Sequence, residues 1–210
     1  MEAQVNAIEW ANLERYEGEN TALNGHKPKV LFLGNSITEG WVMSMPDFFK
    51  GNDFVGRGIS GQTSSMLLLR FRQDVVSLKP KLLIINIGTN DIAENTCLYL
   101  ESFTLGNIAS MVDIAKANGI KVILSSVLPA ASFKWRPTIE DVSGKIMRLN
   151  SALIVYATKN KIAYLDYHTP LKNQVGGLNI DMAPDGVHPT PACYQIMADL
   201  AMKVIQKQLK

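Results

Sequence analysis

Four short apolar runs, Val30–Leu33, Leu82–Ile87, Val122–Leu124 and Ile162–Leu165, carry little polar alternation, the pattern of strands buried on both faces. Asp53–Val55 is a weaker fifth candidate. Between the runs the apolar period changes. Leu67, Phe71, Val75 and Leu78 recur at spacings of four, four and three. Ile108, Met111, Val112 and Ala115 mark a second helix, which Asn118-Gly119 ends. Ile146, Leu149, Leu153 and Tyr156 mark a third. Thr190-Pro191 is a cap and first-turn pair for a last helix carrying Tyr194, Met197, Ala201, Val204 and Ile205.

Strands alternating with helices predict right-handed crossovers and an α/β fold, a three-layer α/β/α sandwich around a five-stranded parallel sheet. The flavodoxin-like order 2-1-3-4-5 is the simplest arrangement. Residues 29–210 read as a single domain. Residues 1–28 read as an N-terminal helical extension, with a helix over Ile8–Leu23 packed outside the sheet.

The 210 residues suffice for a substantial core, and 47% apolar against 19% charged residues place the chain among globular proteins. A net charge of +2, with Lys and Arg scattered, provides no basic stripe for nucleic acid. No apolar run reaches membrane-span length. Cys97 and Cys193 have no metal-ligand spacing and read as buried or partly buried free thiols, with no metal expected. No basic segment followed by an apolar stretch opens the chain. A cytoplasmic location is therefore expected, or a periplasmic or secreted one where a leader has been removed. The oligomeric state is not legible.

In open parallel sheets ligands bind beyond the carboxyl ends of the strands. Gly34-Asn35-Ser36 follows the first run, Gly58–Gly61 the weaker second, Gly88-Thr89-Asn90-Asp91 the third, and Leu128-Pro129 the fourth. All four turns open onto one rim. A serine on a tight turn leaving a buried strand presents a hydroxyl that becomes a nucleophile once a base takes its proton. Asp185-Gly186-Val187-His188 provides that base, with a carboxylate three residues before it to orient the ring. Ser36, His188 and Asp185 thus form a candidate triad. The backbone N–H of Ser36, the Asn90 amide and a glycine N–H from the second turn are candidate oxyanion donors. Taken singly, each residue also fits an ordinary turn or cap. His26 and His168 lack a carboxylate at fixed short spacing, and Asp91 reads as a cap on the segment that follows it. Gly56-Arg57-Gly58-Ile59-Ser60-Gly61 fits the dinucleotide fingerprint, but the following strand ends at Asn86-Ile87-Gly88 without the ribose-binding acid. Nucleotide binding is not expected.

These blocks resemble the SGNH hydrolase family, the GDSL-type esterases and lipases, from Lys29 onward. Gly34-Asn35-Ser36-Ile37 stands at the nucleophile block, and Gly58-Ile59-Ser60-Gly61-Gln62-Thr63 at the second, which puts the oxyanion glycine on Gly61. Gly88-Thr89-Asn90-Asp91 matches the third block and Asp185-Gly186-Val187-His188-Pro189 the last. The resemblance implies hydrolysis through an acyl-enzyme, with no cofactor. One departure is Asn35, where the name-giving motif has Asp, a residue that supports the turn. The stretch from Leu128-Pro129 to Trp135-Arg136-Pro137 resembles the platelet-activating-factor acetylhydrolase and carbohydrate-esterase branches, implying a short acyl group. Trp135 and Arg136 are candidate substrate contacts, the ring for stacking on a sugar. The expected function is serine-esterase hydrolysis of short-chain carboxylic esters, with a small-molecule ester, such as an acylated sugar, as partner. A lysophospholipase or acyl-thioester hydrolase, and a non-catalytic carbohydrate-binding domain on a degenerate scaffold, are the alternatives.

Overall fold

The computed structural model describes residues 10–210. Its strands are β1 Val30–Gly34, β2 Phe54–Gly58, β3 Leu82–Asn86, β4 Lys121–Ser125 and β5 Ala163–Leu165. They form one all-parallel sheet in the order β2-β1-β3-β4-β5, as expected. The helices are α1 Glu17–Ala22, α2 Ser36–Ser44, α3 Pro46–Asn52, α4 Ser64–Phe71, α5 Thr89–Ile92, α6 Glu101–Ala117, α7 Val142–Lys159, α8 His168–Leu171 and α9 Pro191–Leu209. Among the described residues no helix is long and apolar enough to cross a membrane.

Successive strand side chains face opposite ways, and this divides the core in two. Leu31, Leu33, Leu83, Ile85 and Leu124 pack with Leu67 and Phe71 of α4, Ile108 and Met111 of α6, and Ile146 and Leu149 of α7. Val30, Phe32, Leu82, Ile84 and Ile123 pack with Trp41 of α2, Phe49 of α3, and Met197 and Ala201 of α9. Every position of β1 and β3 is buried, which accounts for their unbroken apolar runs. The chain steps from β1 outward to β2, then back across β1 to β3 and on to β5. Right-handed crossovers put helices on opposite faces when that direction reverses, so a crevice opens at the carboxyl ends of β1 and β3. In-register pairing of Gly34 with both Gly58 and Asn86 brings the three following turns side by side.

Three local expectations are corrected. Asp53 is not in a strand: at φ 60°, ψ 45° it is the left-handed cap of α3, and β2 runs from Phe54 through the glycine-rich stretch to Gly58. Gly58 lies against α2, where a Cβ would meet Glu39 N at 2.2 Å and Asn35 O at 2.6 Å. That glycine serves helix–strand packing. The helix through Leu67–Leu78 has its regular part in α4 and continues as a π turn over Arg72–Val76.

The N-terminal helix is the third correction. Ile8 lies outside the described residues, and within them the chain is interrupted by left-handed Asn12, φ 51°, ψ 54°. A 3₁₀ turn over Leu13–Tyr16 and the short α1 follow. Tertiary bonds override a continuous helix here. The Tyr16 hydroxyl donates to Gly58 O. Asn20 accepts from Arg57 Nε at 2.8 Å and donates to Asp74 Oδ1 at 2.8 Å. The segment therefore covers the end of edge strand β2, beside the crevice.

Candidate active site

Asn35 caps α2, its Oδ1 accepting from the Ile37 N–H at 3.1 Å. Ser36 is consequently the first residue of α2, where a backbone N–H has no partner within the helix. Its Oγ lies 3.0 Å from His188 Nε2. His188 Nδ1 lies 2.5 Å from Asp185 Oδ2. Asp185 Oδ1 accepts from the N–H groups of Val187 at 2.9 Å and His188 at 2.8 Å, so one tight turn holds both side chains. Burial acts to raise the Asp185 carboxyl, but the His188 side chain and these backbone bonds outweigh it and hold the acid below its ordinary value. The His188 side chain is 43% exposed, which leaves water a path to the ring. Thr190 N-caps α9 and Pro191 opens it, so the imidazole leads directly into a rigid element.

The second and third turns complete the rim. Gly61 has φ +78°, a conformation side chains rarely adopt, and a Cβ there would meet nothing within 4 Å. Among the described residues its N–H has no hydrogen-bond partner. Buried Asn90, on α5, donates one amide hydrogen to Gln62 O at 3.0 Å, and the other remains for a ligand. Asp91 does not cap the segment after it. It receives the Ser64 N–H at 3.0 Å and the Ser64 hydroxyl at 2.5 Å, and so caps α4 from the side. Burial raises its carboxyl, with the Ser64 and Thr104 bonds acting the other way.

Trp135 stands over the site's edge, its ring centroid 6.2 Å from that of His188 and 5.0 Å from that of Phe133. Its Nε1 donates to Asn95 Oδ1 at 3.2 Å. Arg136 is exposed, and its guanidinium makes no hydrogen bond or ion pair among the described residues. His26 pairs with Asp53 at 2.6 Å on the surface, away from the rim turns. His168 is buried at the start of α8. Cys193 is buried as expected, whereas Cys97 is exposed.

Four residues that support the site escaped the reading of the sequence. Glu39, three residues beyond Ser36, accepts from the Ser60 N–H at 3.0 Å and also from its hydroxyl. Lys134 Nζ donates to Pro184 O at 3.1 Å, tying the loop after β4 to the Asp185 turn. Asn95 Nδ2 donates to Gly61 O at 3.2 Å. Arg70, fully buried, donates to Gly34 O and Arg57 O at 3.0 Å, beneath the Ser36 turn. Only Arg70 left a signal, because it lies three residues after Leu67 on the buried helix face with Asp74 four residues further on. An opposite-charge pair on an apolar face is a buried ion pair or an error.

A serine hydroxyl on an imidazole that a carboxylate orients, beside several free N–H donors, is a constellation suited to acyl transfer. Comparison with known proteins agrees. Residues 32–196 match the GDSL-like lipase/acylhydrolase family. A GDSL-like lipase of Bacteroides thetaiotaomicron VPI-5482 is 53% identical with a TM-score of 0.92, over 95% of this chain and 99% of that one. Esterase TesA of Pseudomonas aeruginosa is 31% identical over 165 residues, 76% of this chain and 75% of that protein. A shorter match, 36% over 93 residues, joins 42% of this chain to 38% of the lipoprotein YqeF of Bacillus subtilis. Axe2, an acetylxylan esterase from Geobacillus stearothermophilus, shares the fold at 20% identity and a TM-score of 0.66, over 86% of this chain and 95% of that one. Sequence, sheet order and site chemistry therefore converge: the chain belongs to the GDSL-like lipase/acylhydrolase family and is a carboxylic ester hydrolase.

Proposed function

We propose that the protein removes short acyl groups, acetyl above all, from hydroxyls of carbohydrates, through an acyl-enzyme on Ser36. The observation that carries this reading is the line Ser36 Oγ–His188 Nε2–Asp185, at 3.0 and 2.5 Å. His188 takes the Ser36 proton as Oγ attacks the acyl carbon. The oxyanion accepts hydrogen bonds from the N–H groups of Ser36 and Gly61 and from Asn90 Nδ2. The C–O bond to the sugar breaks, and the alkoxide leaves with the proton held by His188. Water, deprotonated by the same imidazole, then cleaves the acyl ester and restores the serine. Asp185 holds the ring tautomer and offsets the imidazolium charge.

The carbohydrate part of the reading is supported by the exposed Trp135 ring beside His188, on the side from which the leaving oxygen is protonated. A flat ring with one polar edge suits a sugar face. The shared fold with Axe2 points the same way.

The test is a substrate panel: acetylated xylo-oligosaccharides, and p-nitrophenyl esters from acetate to palmitate. The expected result is kcat/KM highest for acetyl esters and falling with chain length. A maximum at long chains or at acyl-thioesters would replace this reading with the lysophospholipase or thioesterase one. Failure of Ser36 to react with a fluorophosphonate would leave a binding module instead. Asn90→Ala should lower kcat by about 10²- to 10³-fold with KM little changed, because its donor acts on charge that develops only in the transition state. An unchanged kcat would remove Asn90 from the oxyanion site.

A further inference from the structure

We infer that Asn95 is a positioning residue that holds the Gly61 peptide and the Trp135 ring with one side chain, coupling the oxyanion donor set to the seat of the leaving group. This rests on the acyl-transfer reading above, in which the Gly61 N–H faces the oxyanion.

An asparagine amide presents a donor and an acceptor on one rigid plane. Here both are used, and on two different parts of the site. Nδ2 donates to Gly61 O at 3.2 Å, and Oδ1 accepts from Trp135 Nε1 at 3.2 Å. The indole N–H is donor only, and Asn95 Oδ1 is the protein acceptor it meets. The Asn95 backbone is itself anchored, its N–H reaching Asn90 O at 3.1 Å. Gly61 in turn needs outside support. With φ +78° and no Cβ it lacks the steric restraint that stiffens other turn residues. The peptide carrying its N–H lies between two pinned neighbours: Ser60 N–H on Glu39 at 3.0 Å, and Gly61 O on Asn95. Asn95 thus closes one side of a bracket around the donor. The same amide keeps the indole tilted at 36° to the His188 ring, where a leaving sugar would sit. Asn95 is partly exposed, on the rim rather than in the core.

The experiment compares Asn95→Asp and Asn95→Ala with wild type, using p-nitrophenyl acetate and an acetylated xylo-oligosaccharide. The carboxylate of Asn95→Asp still accepts from Trp135 but cannot donate to Gly61 O. It should lower kcat about 10-fold on both substrates, part of what loss of a whole oxyanion donor removes, while KM for the sugar ester holds. Asn95→Ala should show the same fall in kcat together with a several-fold rise in KM for the sugar ester alone. Both variants should melt near the wild-type temperature. Values within about twofold of wild type for all parameters would overturn the proposal. So would identical behaviour of the two variants, or a loss that tracks melting temperature. Ser36→Ala run in parallel separates the questions: undiminished hydrolysis there refutes the reading of the site, whatever the Asn95 variants do.

Discussion

Ser36→Ala is expected to lower turnover of p-nitrophenyl acetate by about 10⁴-fold or more while leaving the fold intact. The change removes the atom 3.0 Å from His188 Nε2, so the imidazole has no proton to take and no acyl-enzyme forms. Structure should not suffer. The cap of α2 is made by Asn35, and alanine is a good helix former at the position after it. The proposed oxyanion donors and substrate binding remain, and such groups account for the residual rate over water that triad variants keep. Steady-state kinetics, with intact-mass detection of fluorophosphonate labelling, measure the effect. Labelling of the alanine variant at the wild-type rate would mean that another residue is the nucleophile.

Arg70→Ala should be the most damaging change to stability, by about 3–5 kcal/mol, which for a chain of this size lowers Tm by roughly 6–20 °C. Arg70 is wholly buried and serves four acceptors: Asp74 at 2.9 Å, Gln62 Oε1 at 2.6 Å, and the Gly34 and Arg57 carbonyls at 3.0 Å. Burial works against its charge, and Asp74 works to restore it. Removing the guanidinium leaves a buried carboxylate whose remaining side-chain donor is Asn20, at 2.8 Å. It also takes one donor from Gly34 O, at the end of β1, and one from Arg57 O, next to the end of β2. Replacing both members by apolar residues, Arg70→Met with Asp74→Leu, should recover part of the loss, because the Asp74 carboxylate is then no longer left buried without Arg70. Urea unfolding of wild type, Arg70→Met, Asp74→Leu and the double variant provides the cycle. A loss below about 1 kcal/mol for Arg70→Ala would show the pair to be dispensable.

The parts legible in the sequence were those whose cause is local. An unbroken run such as Leu82–Ile85 announces a strand covered on both faces, because nothing but apolar side chains survives there. Thr190-Pro191 announces a helix start through one hydroxyl and one fixed φ. Asp185 and His188 share a turn, so their pairing follows from a three-residue spacing. Short elements such as α3, α5 and α8 left no period long enough to read. Asp91 was misjudged because its partner, Ser64, lies 27 residues away on another helix. Glu39, Asn95 and Lys134 reach across 21, 34 and 50 residues, and no spacing encodes such meetings.

Apolar period and turn chemistry were therefore enough to predict an α/β/α fold and a rim bearing a serine, a histidine, an acid and an amide, with the simplest sheet order, which strand pairing then showed. The packed chain alone chose the partners: Asn12 broke the first helix, Arg70 came to rest under the Ser36 turn, and Asn95 met Gly61 and Trp135. Backbone preferences act over a few neighbouring residues. Side-chain hydrogen bonds form between whatever the strand order sets side by side, and that adjacency exists only once the sheet is assembled.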